Sequence, residues 1–243
     1  MSDNDIIVIA HATRRQGLVN QLESRLADAR IPFSLEAITD PIPNVAAGNL
    51  EYNIRGWRKT IAKYHHFKKI VMVDAWDMLF VGSKAGLIEV IPEDGVLVGT
   101  ERGSWPDPYL EPLIDHTTRT GVPWHCCNWG SFAGTPDSFT NWFIEIEQHP
   151  WYMPKLIAQQ WANILLAHHG MSGPLRLLDY QTRLCYSTQQ DKGELQFADT
   201  DHGYRPYNTI TCEFPQFIHF NHVDPSGFLM LEFAVKCQQG VPQ

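Results

Sequence analysis

Residues 69–80 have the sequence KIVMVDAWDMLF. The apolar run at 70–73 is typical of a strand that is buried on both faces of a sheet. Two carboxylates, Asp74 and Asp77, follow where this strand is expected to end. Ligands of open α/β sheets bind at the carboxyl ends of the strands. The segment therefore predicts a central strand and, at its end, a ligand site.

The pattern of residues 69–80 recurs on both sides of it along the chain. Further strands are predicted at 6–10, 33–38 and 95–100 and within 175–186 and 213–221, and helices at 16–29, 53–64, 136–147 and 154–168. Strands that alternate with helices in this way predict a doubly wound α/β fold. No internal repeat, low-complexity tract or linker divides the chain, so we expect one domain over residues 1–243.

Composition and charge narrow the classes of function. Apolar residues make up 44% of the chain and charged residues 19%, and the formal net charge is −8. Tight, sequence-independent binding of nucleic acid normally needs a basic surface, so this charge disfavours it, although an enzyme that visits DNA briefly stays compatible. No apolar run approaches the roughly 18 residues of a membrane-spanning helix.

The N-terminal residues and the cysteines predict a cytoplasmic location. The first residues show no basic segment followed by an apolar run and a cleavage site, so we do not expect a secretory signal. The five cysteines are odd in number and lack paired C-x-x-C spacing, so we expect reduced and mostly buried thiols.

Asp74 and Asp77 are the first candidates for metal ligands. A buried carboxylate without a partner is costly, and hard oxygen ligands suit Mg²⁺ or Mn²⁺, which can bridge a diphosphate. The residues alone leave an alternative open, because two aspartates can also cap a helix that begins near Met78.

Two later segments offer further candidates. Residues 128–134, NWGSFAG, contain glycines that permit close approach to a ligand, although an ordinary loop before a helix has the same pattern. His219 lies at the end of an apolar stretch and could supply an imidazole ligand. The chain contains 11 histidines, and a single one is more often a packed side chain than a ligand.

The order of these segments resembles the glycosyltransferase domains of the procollagen galactosyltransferase and lysyl hydroxylase families. The resemblance extends from about residue 6 to residue 225. It rests on similarity to an A-T-K/R segment, a D-x-x-D motif, a V-F-S-A-E segment, an N-x-G-x-F-x-G motif, an L-D pair followed by arginine, and I-H-G-N-G. The corresponding residues here are Ala12-Thr13-Arg14, Asp74 with Asp77, Val98-Gly99-Thr100-Glu101, Asn128 to Gly134, Leu178-Asp179 with Arg183, and Ile218-His219-Phe220-Asn221.

The resemblance implies a fold, a reaction and a set of site residues. The fold would be GT-A, a Rossmann-like nucleotide-diphospho-sugar transferase domain with a mostly parallel central sheet. The reaction would move a sugar from a UDP-sugar, or a related nucleotide sugar, to a hydroxyl acceptor. Asp74, Asp77 and His219 would hold Mn²⁺ or Mg²⁺, and the two aspartates would be the catalytic residues. The donor would contact Ala12, Thr13, Arg14, Trp76, Asn128, Gly130 and Asn221.

This sequence also departs from the families. Their D-D-Q segment corresponds to Ala158-Gln159-Gln160, so two acids near the transferred sugar are absent. No general base stands out, and the candidates are the acids Glu145, Glu147, Asp199 and Asp201, although an acid of this kind is more often a plain surface residue. A catalytically inactive module that binds nucleotide sugars is therefore the alternative.

Weaker candidates surround these motifs. Arg55 and Arg58 could reach a phosphate, although exposed arginines on a helix are common. Trp105, Trp124 and Trp129 could stack on a sugar or a base, or could instead fill gaps in the core. The absence of a secretory signal favours a bacterial or phage setting, with a glycan, a protein side chain or a hydroxymethylated DNA base as acceptor, and the acidic charge disfavours DNA.

Overall fold

The computed structural model describes residues 4–11, 17–36, 49–188, 191–200 and 203–221. The strands in these ranges are β1 (Ile6–His11), β2 (Phe33–Glu36), β3 (Lys69–Asp74), β4 (Met78–Phe80), β5 (Leu97–Glu101), β6 (Cys126–Gly134), β7 (Cys185–Ser187), β8 (Leu195–Thr200), β9 (Gly203–Asn208) and β10 (Phe217–His219). The α-helices are α1 (Val19–Asp28), α2 (Leu50–Lys63), α3 (Lys84–Val90), α4 (Glu111–Thr118), α5 (Pro136–Gln148) and α6 (Ala158–His169). Short 3₁₀ helices occupy Pro108–Leu110 and Gly173–Leu175.

The central sheet has five strands in the order β2-β1-β3-β6-β5. β1 pairs in parallel with β2 and β3, whereas β6 runs antiparallel to both β3 and β5. The α/β fold is therefore confirmed, but the sheet is mixed, and only its β2-β1-β3 half has the parallel pairing expected from the sequence. The single domain over residues 1–243 stays a prediction.

β1 and β3 form the centre of the sheet, as their apolar runs predict. Residues on one side of these strands pack with α2, α5 and α6, and residues on the other side pack with α1 and α3. Because β1 and β3 are in register, His11 at the end of β1 lies opposite Asp74 at the end of β3. The carboxyl ends of both strands therefore meet at one edge of the sheet.

The segment 128–134, expected to be a loop, lies within β6. It is a central strand because it pairs with β3 on one side and β5 on the other. Its glycines permit close packing: a Cβ on Gly134 would lie 3.0 Å from the carbonyl oxygen of Gly95. Between β5 and β6, a Cβ on Gly99 would lie 2.0 Å from Ser131 Oγ.

A second sheet decides between the two interpretations of residues 74–80. Met78–Phe80 is strand β4, so Asp74 and Asp77 do not cap a helix beginning near Met78. β4 pairs antiparallel with β10, which pairs in parallel with β7. The pairing of β10 with β4 places His219 opposite Met78, one residue beyond Asp77.

The part of the chain after α6 is less regular. β8 and β9 form an antiparallel hairpin that the sequence patterns did not indicate. Leu178 contributes only an isolated bridge to Val98, so the Leu178-Asp179 pair does not belong to a regular strand. The strand predicted within 175–186 is found only at the end of that range, as the short β7, whereas the one predicted within 213–221 is β10.

Two sequence-based expectations concern the chain as a whole. Within the described ranges, no helix combines the length and the apolar character that a bilayer crossing requires. Cys126, Cys127 and Cys185 are buried free thiols, as expected, whereas Cys212 is exposed.

The contact between Gly99 and Ser131 yields a test of how β5 packs on β6. We expect Gly99→Ala to lower the free energy of unfolding by about 1–3 kcal/mol, because the new methyl group collides with the Ser131 hydroxyl. In Gly99→Ala/Ser131→Ala the nearest remaining contact would be the carbonyl oxygen of residue 131 at 3.2 Å, so most of the loss should be recovered. Urea unfolding of both variants and of Ser131→Ala measures this; a double variant no more stable than Gly99→Ala would contradict the steric explanation.

Candidate functional site

The two carboxylates of the D-x-x-D motif lie at the edge of the central sheet. Asp74 is the last residue of β3, and Asp77 directly precedes β4. The backbone N–H groups of Ala75 and Trp76 donate hydrogen bonds to the Asp74 carboxylate. The short turn between the two strands therefore holds both acids at the carboxyl end of β3.

His219 completes a cluster with these acids. Its side chain is buried, and its Nε2 atom lies 3.0 Å from Asp77 Oδ1. One carboxylate oxygen from each aspartate and one ring nitrogen of His219 lie within 4.8 Å of one another. The structure thus brings together the three residues that the resemblance assigns to the metal.

The cluster concentrates charge around one imidazole. Burial lowers the pKa of His219, but the charge and hydrogen bond of Asp77, followed by the charges of Asp74 and Glu101, raise it to about 9. Enclosure by protein atoms, followed by the charge of Asp77, raises the pKa of Asp74. The Asp74 residue is nevertheless exposed to solvent, at the edge of the sheet.

The potential ligand atoms of the cluster fit a divalent cation. Two carboxylates and one imidazole form a set of hard and borderline ligands that Mg²⁺ or Mn²⁺ accepts. His219 Nδ1 is buried, and none of the described residues forms a hydrogen bond with it. The cluster could therefore hold a metal ion, and because Asp74 is exposed, a further ligand could reach that ion from solvent.

Gly130, predicted to contact the donor, also packs against His219. A Cβ on Gly130 would lie 2.7 Å from Cε1 of His219 and 2.8 Å from Oδ1 of Asn128. A side chain at position 130 would therefore displace the imidazole. The sequence pattern suggested that glycine permits close approach to a ligand, whereas in the structure Gly130 permits close packing against the His219 ring.

Glu101 is the residue of the site whose importance the sequence analysis missed. It is 1% exposed at the end of β5, and its Oε2 atom accepts hydrogen bonds from Asn128 Nδ2 at 2.8 Å and Asn221 Nδ2 at 2.7 Å. Its other oxygen accepts a hydrogen bond from Gln159. Burial raises the pKa of Glu101 to about 7, against the opposing effect of these donors.

The contacts of Glu101 also show what the amides do in this structure. The side-chain nitrogens of Asn128 and Asn221 donate hydrogen bonds to Glu101. Contacts of these two residues with the nucleotide sugar stay a prediction. The only signal for Glu101 in the sequence was the resemblance of residues 98–101 to V-F-S-A-E. That resemblance did not identify the partners, which come from three distant segments.

An open pocket of about 450 Å³, solvent at its mouth included, lies beside Asp74. It is lined by β1, α2, β3 and β6 through His11, Asn53, Trp57, Met72, Val73, Asp74, Trp129, Gly130 and Phe132. His11 stacks on Trp57 with ring centroids 6.4 Å apart, and burial lowers the pKa of His11 to about 4. His11 is therefore neutral at pH 7, and Asp74 is the acidic side chain of this lining.

The tryptophans proposed from sequence differ in their surroundings. Trp76 is 55% exposed and is not a core residue, although its carbonyl oxygen accepts a hydrogen bond of 2.7 Å from Leu18 N–H. Trp124 is buried beneath the Arg102 guanidinium, which rules out stacking on a ligand. Trp129 lines the pocket, and Trp105 is 42% exposed in the loop after β5.

Several weaker candidates make ordinary surface ion pairs. Glu145 pairs with Arg176 at 2.7 Å, Glu147 pairs with Arg58 at 2.6 Å, and Arg55 pairs with Glu51. Asp199 lies on β8 in the hairpin. Ala12, Thr13 and Arg14, predicted to lie beside the base, and the acid Asp201 fall outside the described residues.

Comparison with known proteins adds information about the fold. No protein-family model matches the chain, and no curated protein matches it in sequence. Among solved structures, a glycosyltransferase involved in the glycosylation of the major capsid of PBCV-1 superposes with a TM-score of 0.51 at 9% identity, covering 96% of this chain and 98% of that one. The bifunctional glycosyltransferase WbbM superposes with a TM-score of 0.50 at 13% identity, covering 92% of this chain and 47% of that one.

These superpositions confirm that the chain has a fold found in glycosyltransferases. The narrower resemblance to the procollagen galactosyltransferase and lysyl hydroxylase families stays a prediction.

The coupling of His219 to Asp77 can be tested in the metal-free protein. We expect Asp77→Asn to lower the pKa of His219 by about one unit or more from its value near 9, because the nearest negative charge is lost. NMR titration of the His219 ring measures this, with Asp94→Asn, which changes an exposed acid, as the control.

The same coupling predicts how stability depends on pH. Because the pKa of His219 in the folded state exceeds its ordinary value of 6.5, the stabilising contribution is present in full below pH 6.5 and is lost as the pH rises through about 9. The stability difference between the wild type and Asp77→Asn should therefore shrink over this range. An unchanged His219 titration in Asp77→Asn would contradict the coupling.

Proposed function

We propose that this chain is a metal-dependent glycosyltransferase that moves a sugar from a nucleotide diphosphate sugar to a hydroxyl acceptor. One observation carries the proposal: Asp74, Asp77 and His219 converge within 4.8 Å at the carboxyl end of β3. They do so in a fold that superposes on two glycosyltransferases. A general fold hosts many functions, so the weight of the proposal rests on the residues of the site.

The metal in this proposal is Mn²⁺ or Mg²⁺, with Asp74, Asp77 and His219 as its protein ligands. When bound, such an ion would neutralise charge on the diphosphate of the departing nucleotide. The turn between β3 and β4 holds the two carboxylates, and Gly130 leaves room for the imidazole. These residues therefore prearrange the ligand set before any substrate arrives.

The donor in this proposal is a UDP-sugar. Trp76 supplies an exposed aromatic face next to both aspartates, which suits stacking on the uracil base. The pocket beside Asp74 combines aromatic side chains with the neutral polar groups of His11 and Asn53, and such a lining suits a sugar ring. Ala12, Thr13 and Arg14 remain predicted contacts of the base.

The acceptor is defined only as a molecule with a hydroxyl group. A net charge of −8 disfavours DNA, so a glycan or a protein side chain is the first choice and a hydroxymethylated DNA base the second. An assay that offers hydroxymethylcytosine DNA beside glycan acceptors would separate these classes. The general base that removes the hydroxyl proton is not assigned.

A catalytically inactive module that binds nucleotide sugars is the second candidate. Gln159 and Gln160 occupy the positions where the resembling families have acids, and their amides bind Glu101 and Asp107 instead. This alternative predicts binding of a UDP-sugar without release of UDP in the presence of any acceptor.

The first test is UDP release from a panel of UDP-sugars with and without Mn²⁺. We expect one sugar to give metal-dependent release in the wild type, and Asp77→Ala to reduce it at least a hundredfold because a metal ligand is lost. Asp94→Ala, at an exposed position away from the cluster, should retain wild-type release. Release that does not depend on Mn²⁺, or full activity in Asp77→Ala, would overturn the proposed metal site.

A second test addresses Trp76. We expect Trp76→Ala to weaken UDP binding about tenfold, because stacking of a base on an aromatic ring contributes roughly 1–3 kcal/mol. Trp76→Phe preserves an aromatic face and should lose much less. Calorimetric titration with UDP in the presence of Mn²⁺ measures both; equal affinities for wild type and Trp76→Ala would exclude stacking on this residue.

A further inference from the structure

Glu101 is a buried carboxylate that joins three distant segments of the chain. Its hydrogen-bond donors are the amides of Asn128 in β6, Gln159 in α6 and Asn221 directly after β10. All three are N–H donors, which are the partners of an ionised carboxylate. A buried carboxyl group that accepts several hydrogen bonds is strongly held, so these amides are fixed relative to β5.

The opposite ends of the three amides are also engaged. Asn128 Oδ1 accepts a hydrogen bond from Gly130 N–H at 2.7 Å, and Asn221 Oδ1 accepts one from the Ser187 hydroxyl at 2.7 Å. Gln159 Oε1 accepts one from Trp129 N–H at 3.3 Å. Rotating any amide by a half turn would break a bond at each end, so Glu101 determines the orientation of all three.

This network reaches His219 from two sides. Gly130, held through Asn128, packs against the imidazole, where an added Cβ would lie 2.7 Å from Cε1. Asn221 lies two residues after His219 on the same segment. The charge of Glu101 also acts on His219. The position of the imidazole therefore depends on the carboxylate of Glu101.

Asp179 shows what a buried carboxylate does when it has a purely local role. It is 4% exposed and also accepts three hydrogen bonds, but all come from backbone N–H groups, those of Arg183, Leu184 and Cys185. Asp179 thereby stabilises one turn. Glu101 instead orients side chains beside the metal cluster, which a folding role alone would not require.

We propose that Glu101 is a positioning residue of the metal site that holds His219 for a divalent cation. It acts through Asn128 and Gln159, which fix the β6 backbone beside the imidazole, and through Asn221. This inference rests on the proposed function in so far as that function assigns a metal to Asp74, Asp77 and His219. Glu101 does not act as the general base, because both of its oxygens accept N–H groups and its side chain is 1% exposed.

The substitution Glu101→Gln removes the charge and keeps the shape. A glutamine has one acceptor oxygen, so its NH₂ group must face either Gln159 or the two asparagines, which are all donors. The amides then reorient and release Gly130 or Asn221. Losing a residue that orients a metal ligand from outside the coordination sphere typically weakens metal binding 10- to 100-fold, and we expect an effect of that order here.

The experiment is a calorimetric titration with Mn²⁺, with UDP present, of the wild type, Glu101→Gln and Asp179→Asn, with thermal unfolding of each. Asp179→Asn is the matched control, since it also neutralises a buried carboxylate with three donors. We expect Glu101→Gln to weaken Mn²⁺ binding at least tenfold and to change the electron paramagnetic resonance spectrum of bound Mn²⁺. Asp179→Asn should lower the melting temperature and leave the affinity for Mn²⁺ unchanged.

A milder variant keeps the test informative if Glu101→Gln does not fold. Gln159→Met removes one donor to Glu101 at a partly exposed position on α6, and it should weaken Mn²⁺ binding in the same direction by a smaller factor.

Each other result overturns the proposal in a distinguishable way. Equal Mn²⁺ affinity in wild type and Glu101→Gln, or in wild type and Gln159→Met if Glu101→Gln does not fold, would exclude the positioning role and leave the proposed function intact. An equal loss in Asp179→Asn would show that the effect comes from stability alone. A wild type that binds no Mn²⁺ would remove the metal assignment and this inference together.

Discussion

The antiparallel pairing of β10 with β4 is the constraint on which the candidate site depends. β4 begins one residue after Asp77, and its partner places His219 opposite Met78. The Phe220 N–H also donates a hydrogen bond of 2.9 Å to the carbonyl oxygen of Asp77. These backbone bonds bring an imidazole from near the end of the described chain to the carboxylates at the end of β3. Without them, the cluster would lack its third ligand.

The electrostatic balance of the site follows from that convergence. Asp74, Asp77 and Glu101 surround one buried imidazole, which is why the pKa of His219 rises to about 9 although burial opposes its charge. A group of like charges at a sheet edge is unfavourable by itself and is relieved by a cation. The positive charge of the His219 imidazolium offsets part of this repulsion. The same arrangement suits a divalent ion, whose charge is larger and whose ligands are already oriented.

The mixed sheet has a direct consequence for the site. Because β6 runs antiparallel between β3 and β5, its first half lies beside the carboxyl ends of both neighbours. This direction brings Asn128 and Gly130 next to Asp74, His219 and Glu101. A parallel strand at this position would have placed the same residues at the opposite edge. The departure from the expected parallel sheet therefore assembles the surroundings of the metal ligands. Position 130 of β6 must be glycine because the His219 ring packs against it.

The sequence alone determined β1 and β3, the helices α1, α2, α5 and α6 that pack on them and the position of Asp74 and Asp77, because continuous apolar runs and helical periodicity are local properties of the chain. It did not indicate α3, which also packs on these strands. It also offered His219 as a candidate ligand from its place at the end of an apolar stretch, and the resemblance then assigned it to the metal. The tertiary structure decided that residues 128–134 form a strand, that residues 78–80 do not begin a helix and that Glu101 binds three amides. Each of these depends on which distant segments pair, and local patterns carry no information on such pairing. Burial and hydrogen bonding between segments far apart in sequence are therefore what turned separate motifs into one site.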